Sequence, residues 1–211
     1  MLNAVGREIP EEILERTGKE VFQGNNYKDG KAFQKASPKV TPVMRKDHDK
    51  MVKDIHEALV KCGAHDGMTV SFHHHFREGD LVVCMVMEEI HKMGFKNITL
   101  SASSLGKAHD ALVPMIEDGT IVNIESSGVR GKIGDAISHG KLKGLATMRS
   151  HGGRVRAIET GETHVDIAFI GAPSCDEYGN CSGMGGKTNC GVLSYAYVDA
   201  EMADYVVAVT D

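Results

Sequence analysis

Apolar residues recur at helical spacing in "DHDKMVKDIHEALVKCG", residues 47–63, where Met51, Ile55, Ala58, Leu59 and Cys62 form one stripe. That period predicts a helix, closed by Gly63 where a left-handed residue commonly ends one. "MTVSF" then reads as a strand, and "GDLVVCMVMEEIHKMG" as a second helix that Asp80 can cap and Gly94 can close. The alternation continues. "NITLSAS" is a strand, "LGKAHDALVPMIEDG" a helix that Pro114 can interrupt, "TIVNIESS" a strand and "GKIGDAISHG" a short helix. "VDIAFIGAP" and "MADYVVAVTD" supply two further strands. Strands separated by helices imply βαβ crossovers. The predicted class is therefore α/β, an open, mainly parallel sheet with helices on both faces, in one domain over residues 46–211. Residues 1–45 are polar and interrupted by Pro10, Gly24, Gly30, Pro38 and Pro42, so they read as an N-terminal arm of short elements.

Composition narrows the function classes. The hydrophobic share of 41% and charged share of 25% are those of a globular protein with a real core. A net charge of −5 argues against nucleic-acid binding. No apolar run has the length of a membrane span, and the N-terminus carries no signal-peptide core. Five cysteines, an odd number and scattered, point to a reduced, cytoplasmic setting. The charge is uneven, however. Residues 130–156 hold Arg130, Lys132, Lys141, Lys143, Arg149, Arg154 and Arg156 against the single acid Asp135. Such a stretch is either a solvated face or a docking surface for an anionic partner.

In an open parallel sheet, ligands bind beyond the carboxyl ends of the strands. The loops "HHHFREGD", "SSLGKAHD" and "SSGVRGKIG" fall there, followed by the long "SCDEYGNCSGMGGKTNC". In extended chain His73 and His75 point to one side and His74 to the other, so at most two could share a metal. Zinc sites usually take more protein ligands, and no metal is expected. The histidines are then either ordinary surface or core residues or, with Arg77 beside a helix start, a cradle for carboxylates. In "SSGVRGKIG", Gly128, Gly131 and Gly134 let backbone approach a ligand and feed a helix N-terminus whose free N–H groups attract anions; Arg130 and Lys132 add full charges. "GMGGKT" fails the phosphate-loop pattern, since Cys181 stands where the first glycine is required. Cys175, Cys181 and Cys190 are too irregularly spaced for a zinc ribbon.

"VDIAFIGAPSCDEYGN" resembles the corresponding stretch of coenzyme A transferases, and "SFHHHFREGD", "SSGVRGKIGDAISHG" and "SGMGGKTNCG" narrow the likeness to the citrate lyase alpha-subunit family. The resemblance runs from about Asn3 to the last residue. It implies the fold shared by sugar-phosphate isomerases and coenzyme A transferases. It also implies a transferase that exchanges the acetyl group of an acetyl thioester for citrate, giving a citryl thioester and acetate. The thioester would be carried by the phosphopantetheine arm of an acyl carrier protein, or by coenzyme A, with no cofactor bound by this chain. The implied partners are citrate, the acyl carrier (gamma) and beta subunits, and a second homologous half of the alpha subunit, expected outside these 211 residues. An oligomer is expected. Under this reading His73, His74, His75, Arg77, Ser103, Ser104, Gly128, Arg130, Gly131 and Lys132 form the substrate cradle, and Lys141, Lys143 and Arg149 dock the acidic carrier. The catalytic residue is left open. A binding half without chemistry of its own and a sugar-phosphate isomerase are the rival readings.

Overall fold

A computed structural model describes residues 1–3, 6–21, 50–73, 81–194 and 196–210. The chain divides into two units, Met1–Gln34 and Lys35–Asp211. In the first, Leu2 and Glu8 form an antiparallel bridge, and helix α1 (Glu11–Thr17) ends on Gly18 in the left-handed conformation, φ 63°.

The second unit runs α2 (Ile55–Lys61), β1 (Thr69–His73), α3 (Val82–Lys92), β2 (Ile98–Ala102), a 3₁₀ helix (Lys107–Leu112), α4 (Val113–Glu117), β3 (Ile121–Ser126), α5 (Gly131–Ser138), β4 (Ala146–Met148), α6 (His151–Glu159), β5 (Ile167–Gly171), the short pair β6 (Ser174–Cys175) and β7 (Cys181–Ser182), α7 (Ala196–Met202) and β8 (Tyr205–Val209). Among the described residues six strands form one sheet in the order β4-β3-β2-β1-β5-β8, and every neighbouring pair is parallel. The predicted α/β class is the observed one. Successive connections build outward from β1 to β4, then return to the other side of β1 for β5 and β8. The switch point therefore lies between β1 and β5.

The strands alternate, with one irregularity between Ile98 and Thr99 where β2 pairs with β3. Val70, Phe72, Ile98, Leu100, Ile124, Ile167 and Phe169 point to one face and join side chains of α2, α3, α4 and α5 in a single apolar cluster. In α3 the buried positions Val83, Val86, Met87 and Ile90 repeat at the spacing of one helical stripe. Phe72 and Phe169 stack at 5.6 Å between centroids. Each fully buried aliphatic or aromatic side chain here contributes about 1.5–3 kcal/mol. On the opposite face Ala168, Ile158, Val165, Val198, Met202 and Ala203 form a smaller cluster under α6 and α7.

Several local expectations are corrected. The first core helix begins at Ile55 rather than near Asp47, because Asp54 is extended and its carboxylate accepts the Glu57 N–H; Met51 precedes the helix and is exposed. Pro114 falls in the first turn of α4, so the segment from Lys107 is a 3₁₀ helix followed by an α-helix. Asp80 lies outside the described residues; the N-cap of α3 is Leu81, with no side-chain cap. Gly63 and Gly94 are left-handed as expected, φ 67° and 84°. The pattern reading passed over β4, α6 and α7. In α6 Arg154 shares the buried stripe with Ala157 and Ile158, and in α7 Asp199 lies buried beside Val198 and Met202. A charge at an inward position breaks the apolar period.

Candidate functional site

At the carboxyl edge β1 ends on His73, whose side chain is only 5% exposed. The alternation of β2 carries on to Ser103, also buried, with half-buried Ser104 after it. His73 stands beside Ile170 of β5, at the switch point. His74, His75 and Arg77 lie outside the described residues.

The loops after β2 and β3 are zipped into one ledge. Ser127 N–H donates to Ser103 O at 3.2 Å, Leu105 N–H to Gly128 O at 2.9 Å and Arg130 N–H to Leu105 O at 2.9 Å. Ser126 Oγ adds a bond to Gly128 O at 3.0 Å and accepts the Gly128 N–H at 3.2 Å. Ser103, Ser104, Gly128, Arg130, Gly131 and Lys132 are thus brought to one edge, near the end of β1. One expectation changes. The start of α5 does not offer the Lys132 N–H freely, because Asp110 Oδ1 accepts it at 2.8 Å. Gly131 adopts φ 71°, and a Cβ there would sit 2.7 Å from that same oxygen, so glycine is required by an internal anion. The α5 terminus is already neutralised by the protein's own carboxylate.

Odd-numbered positions of β1 and β2 share the face that α6 covers. Beneath His73 and Ser103 lie Ser71 and Ser101, and over them Arg154, 1% exposed. Arg154 Nη2 donates to Ser71 Oγ at 2.6 Å, Ser101 Oγ at 3.4 Å, and Asp199 Oδ1 and Oδ2 at 3.0 and 3.3 Å. Burial pushes the Asp199 carboxyl up, opposed by the Arg154 guanidinium and the Ser71 hydroxyl. This network under the site was missed by the sequence reading, which counted Arg154 with the surface cations. The serines alternating with Val70, Phe72 and Leu100 were the available signal.

The basic stretch is not one patch. Lys141 and Lys143 precede β4, at the amino end of the sheet, whereas Arg149 follows β4 at the carboxyl end. Lys141 Nζ lies 2.5 Å from Glu117 Oε1, and Arg149 and Arg156 lie 2.9 and 3.0 Å from the two oxygens of Glu162. Those two guanidinium groups, Arg149 foremost, hold the Glu162 carboxyl below its usual range. The structure does not bring the three proposed docking residues together.

The glycines of "GMGGKT" serve backbone packing: a Cβ on Gly183 would meet Gly191 O at 1.5 Å, and one on Gly186 would meet Pro173 O at 1.6 Å. At the amino edge, His164 Nε2 lies 3.3 Å from Asp166 and 2.9 Å from Asp204, and Asp166 accepts the Thr69 N–H at 2.7 Å. This cluster clips the starts of β1, β5 and β8, at the far end of the strands from His73.

Comparison with known proteins places this geometry in context. A family model described as citrate lyase, alpha subunit (CitF), matches residues 48–211. The citrate lyase alpha chain of Escherichia coli is 50% identical over 181 residues, 85% of this chain and 35% of the relative; that of Haemophilus influenzae is 47% identical over 186 residues, 88% and 37%. A crystal structure described as the alpha subunit of citrate lyase in complex with citrate, from Streptococcus mutans, is similar with a TM-score of 0.82 and 48% identity, covering 99% of this chain and 40% of that one. The chain spans little more than a third of the length of the curated relatives it matches.

Proposed function

The chain belongs to the citrate lyase alpha-subunit family, and from that premise we propose that it forms the citrate-binding part of a transferase that exchanges an acetyl thioester for citrate. The observation that carries this reading is the likeness, 48% identical over 99% of the chain, to a protein solved with citrate. The ledge supports it. A tricarboxylate needs cations and hydrogen-bond donors, and His73, Ser103, Ser104, Gly128 and Arg130 converge at the carboxyl edge. His74, His75 and Arg77, following His73 in sequence and outside the described residues, are assigned to the same cradle; the side chain of Lys132 belongs to it, while its N–H is engaged by Asp110.

The reaction follows from the groups required. A citrate carboxylate attacks the acetyl thioester carbonyl, the thiolate leaves, and an acetyl–citryl anhydride forms. The thiolate then attacks the citryl carbonyl and acetate departs. No side-chain nucleophile is needed; the work is positioning and stabilisation of the tetrahedral oxyanions by fixed donors. The thioester is carried by the phosphopantetheine of an acyl carrier protein or by coenzyme A. The beta subunit consumes the citryl thioester, and the second homologous half of the alpha subunit completes the site. Carrier docking is assigned to the carboxyl edge, with Arg149 nearer to it than Lys141 or Lys143. Among the described residues no helix is long and apolar enough to cross a membrane. The odd, scattered cysteines support a reduced, cytoplasmic setting.

Calorimetric titration with citrate tests the cradle. Replacing His73 with Ala and Ser103 with Ala, each removing a hydrogen bond to charge, is expected to cost about 1.5–3 kcal/mol of affinity. Unchanged affinity in folded variants would remove these residues from the site. A second reading is binding without chemistry, since the likeness to a protein solved with citrate bears on binding rather than on transfer. Acetyl-coenzyme A mixed with citrate separates the two: citryl-coenzyme A detected by mass spectrometry supports transfer by these 211 residues, and citrate binding without it supports a binding half.

A further inference from the structure

The hairpin that follows β5 sets two thiols face to face. Cys175 of β6 and Cys181 of β7 are directly opposed in an antiparallel pair, with their sulfur atoms 3.6 Å apart. Asp176 N–H donates to Asn180 O at 3.2 Å, which makes 176 and 180 the hydrogen-bonded pair. Positions 175 and 181 are then the adjoining pair without ladder bonds, where Cα atoms stand about 4.5 Å apart and side chains approach most closely. Disulfides span Cα separations of about 4.4–6.8 Å, so the backbone already has the required spacing.

The turn between them is held independently. Asp176 Oδ1 accepts the N–H groups of Tyr178 and Asn180 at 3.0 and 2.9 Å, and Asp176 Oδ2 accepts Asn180 Nδ2 at 2.8 Å. Lys50 Nζ reaches Tyr178 O at 3.2 Å from outside the hairpin. Both thiols are half-buried, so a small oxidant has access to them.

We propose that Cys175 and Cys181 form a dithiol modification site that a low-molecular-weight disulfide converts reversibly to an intramolecular disulfide. One thiolate attacks the reagent and releases one thiol, forming a mixed disulfide. The second thiolate attacks that sulfur and releases the other. Two protein S–H bonds are lost, one S–S bond forms, and the reagent gains the two electrons and leaves as two thiols. The site is independent of the citrate reading. Burial, with Cys175 and Asp176 nearby, pushes the Cys181 thiol up to about 12, so closure is slow at neutral pH and quickens as pH rises.

The test is incubation of the folded chain with oxidised glutathione, alkylation of remaining thiols, and tryptic mass mapping. Residues 157–187 contain both cysteines and no internal lysine or arginine. The expected product is that peptide two hydrogens lighter, unalkylated, and restored to two alkylated thiols by prior reduction. Cys175→Ser and Cys181→Ser should each abolish it, leaving a glutathione adduct or a free thiol on the remaining cysteine. Cys190→Ser should leave it intact. Only glutathione adducts or alkylated thiols in the wild type, or a bridge to Cys190, would overturn the proposal.

Discussion

Val70, Leu100 and Ile124 lie side by side on three neighbouring strands and meet the apolar sides of α3, α4 and α5. One residue along the same strands, Ser71, Ser101 and Glu125 also lie side by side, on the face where Arg154 and Asp199 are buried. The two faces teach different lessons about stability. The first gains from each methylene removed from water. The second holds a buried ion pair, whose attraction must offset the desolvation of both charges. Burial pushes the Asp199 carboxyl up, against the pull of the Arg154 guanidinium and the Ser71 hydroxyl. The polar face is therefore expected to add less to stability than the apolar one.

Breaking the pair from one side should produce the largest effect. Arg154→Met strands a buried carboxylate and is expected to cost about 3–5 kcal/mol, measured by urea unfolding. Arg154→Met with Asp199→Leu removes both charges and should recover most of that loss. A double variant as unstable as the single one would mean the pair itself stabilises the fold, and the contrast between faces would fail.

Adjacent residues of β2 sharpen the contrast. Leu100→Ala empties a position with 0% exposure and should cost about 2–5 kcal/mol. Ser101→Ala removes one long hydrogen bond to Arg154 and should cost about 0.5–1.5 kcal/mol. Equal losses in the same unfolding assay would erase the distinction.

The smallest effect belongs to the exposed amino edge. Burial opposes ionisation of Asp118, but hydrogen bonds from Thr120 and Lys96 outweigh it and draw the carboxyl down to about 2. A depressed carboxyl stabilises the folded state above its unfolded pKa near 3.8 and loses that contribution as pH falls through about 2. Solvent screening holds the effect to about 0–1 kcal/mol. Comparing wild type with Asp118→Asn across pH 2–5 should show their stabilities converging at the acid end.

The apolar face was legible from local pattern. Val83, Val86, Met87 and Ile90 keep helical period in α3, and β1, β2, β3 and β5 each carry a recognisable apolar set. The candidate edge was legible too, since strands followed by polar loops place His73, Ser103 and Gly128 together once the sheet is parallel. What escaped was relational. Asp110 at the start of α5 lies 22 residues from Lys132, and no local spacing announces it. Nor does a run of basic residues reveal that β4 carries Lys141 and Arg149 to opposite ends of the sheet.

By itself, then, the chain's periodicity determined the α/β class, the helices over the apolar face and the edge where polar loops gather, because burial of apolar side chains imposes its period locally. Only the tertiary structure decided the other face. Arg154 and Asp199 are 45 residues apart and each reads alone as a surface charge. Their burial becomes tolerable when α6, α7 and the serines of β1 and β2 enclose them together, since a charge withdrawn from water must find its partner there.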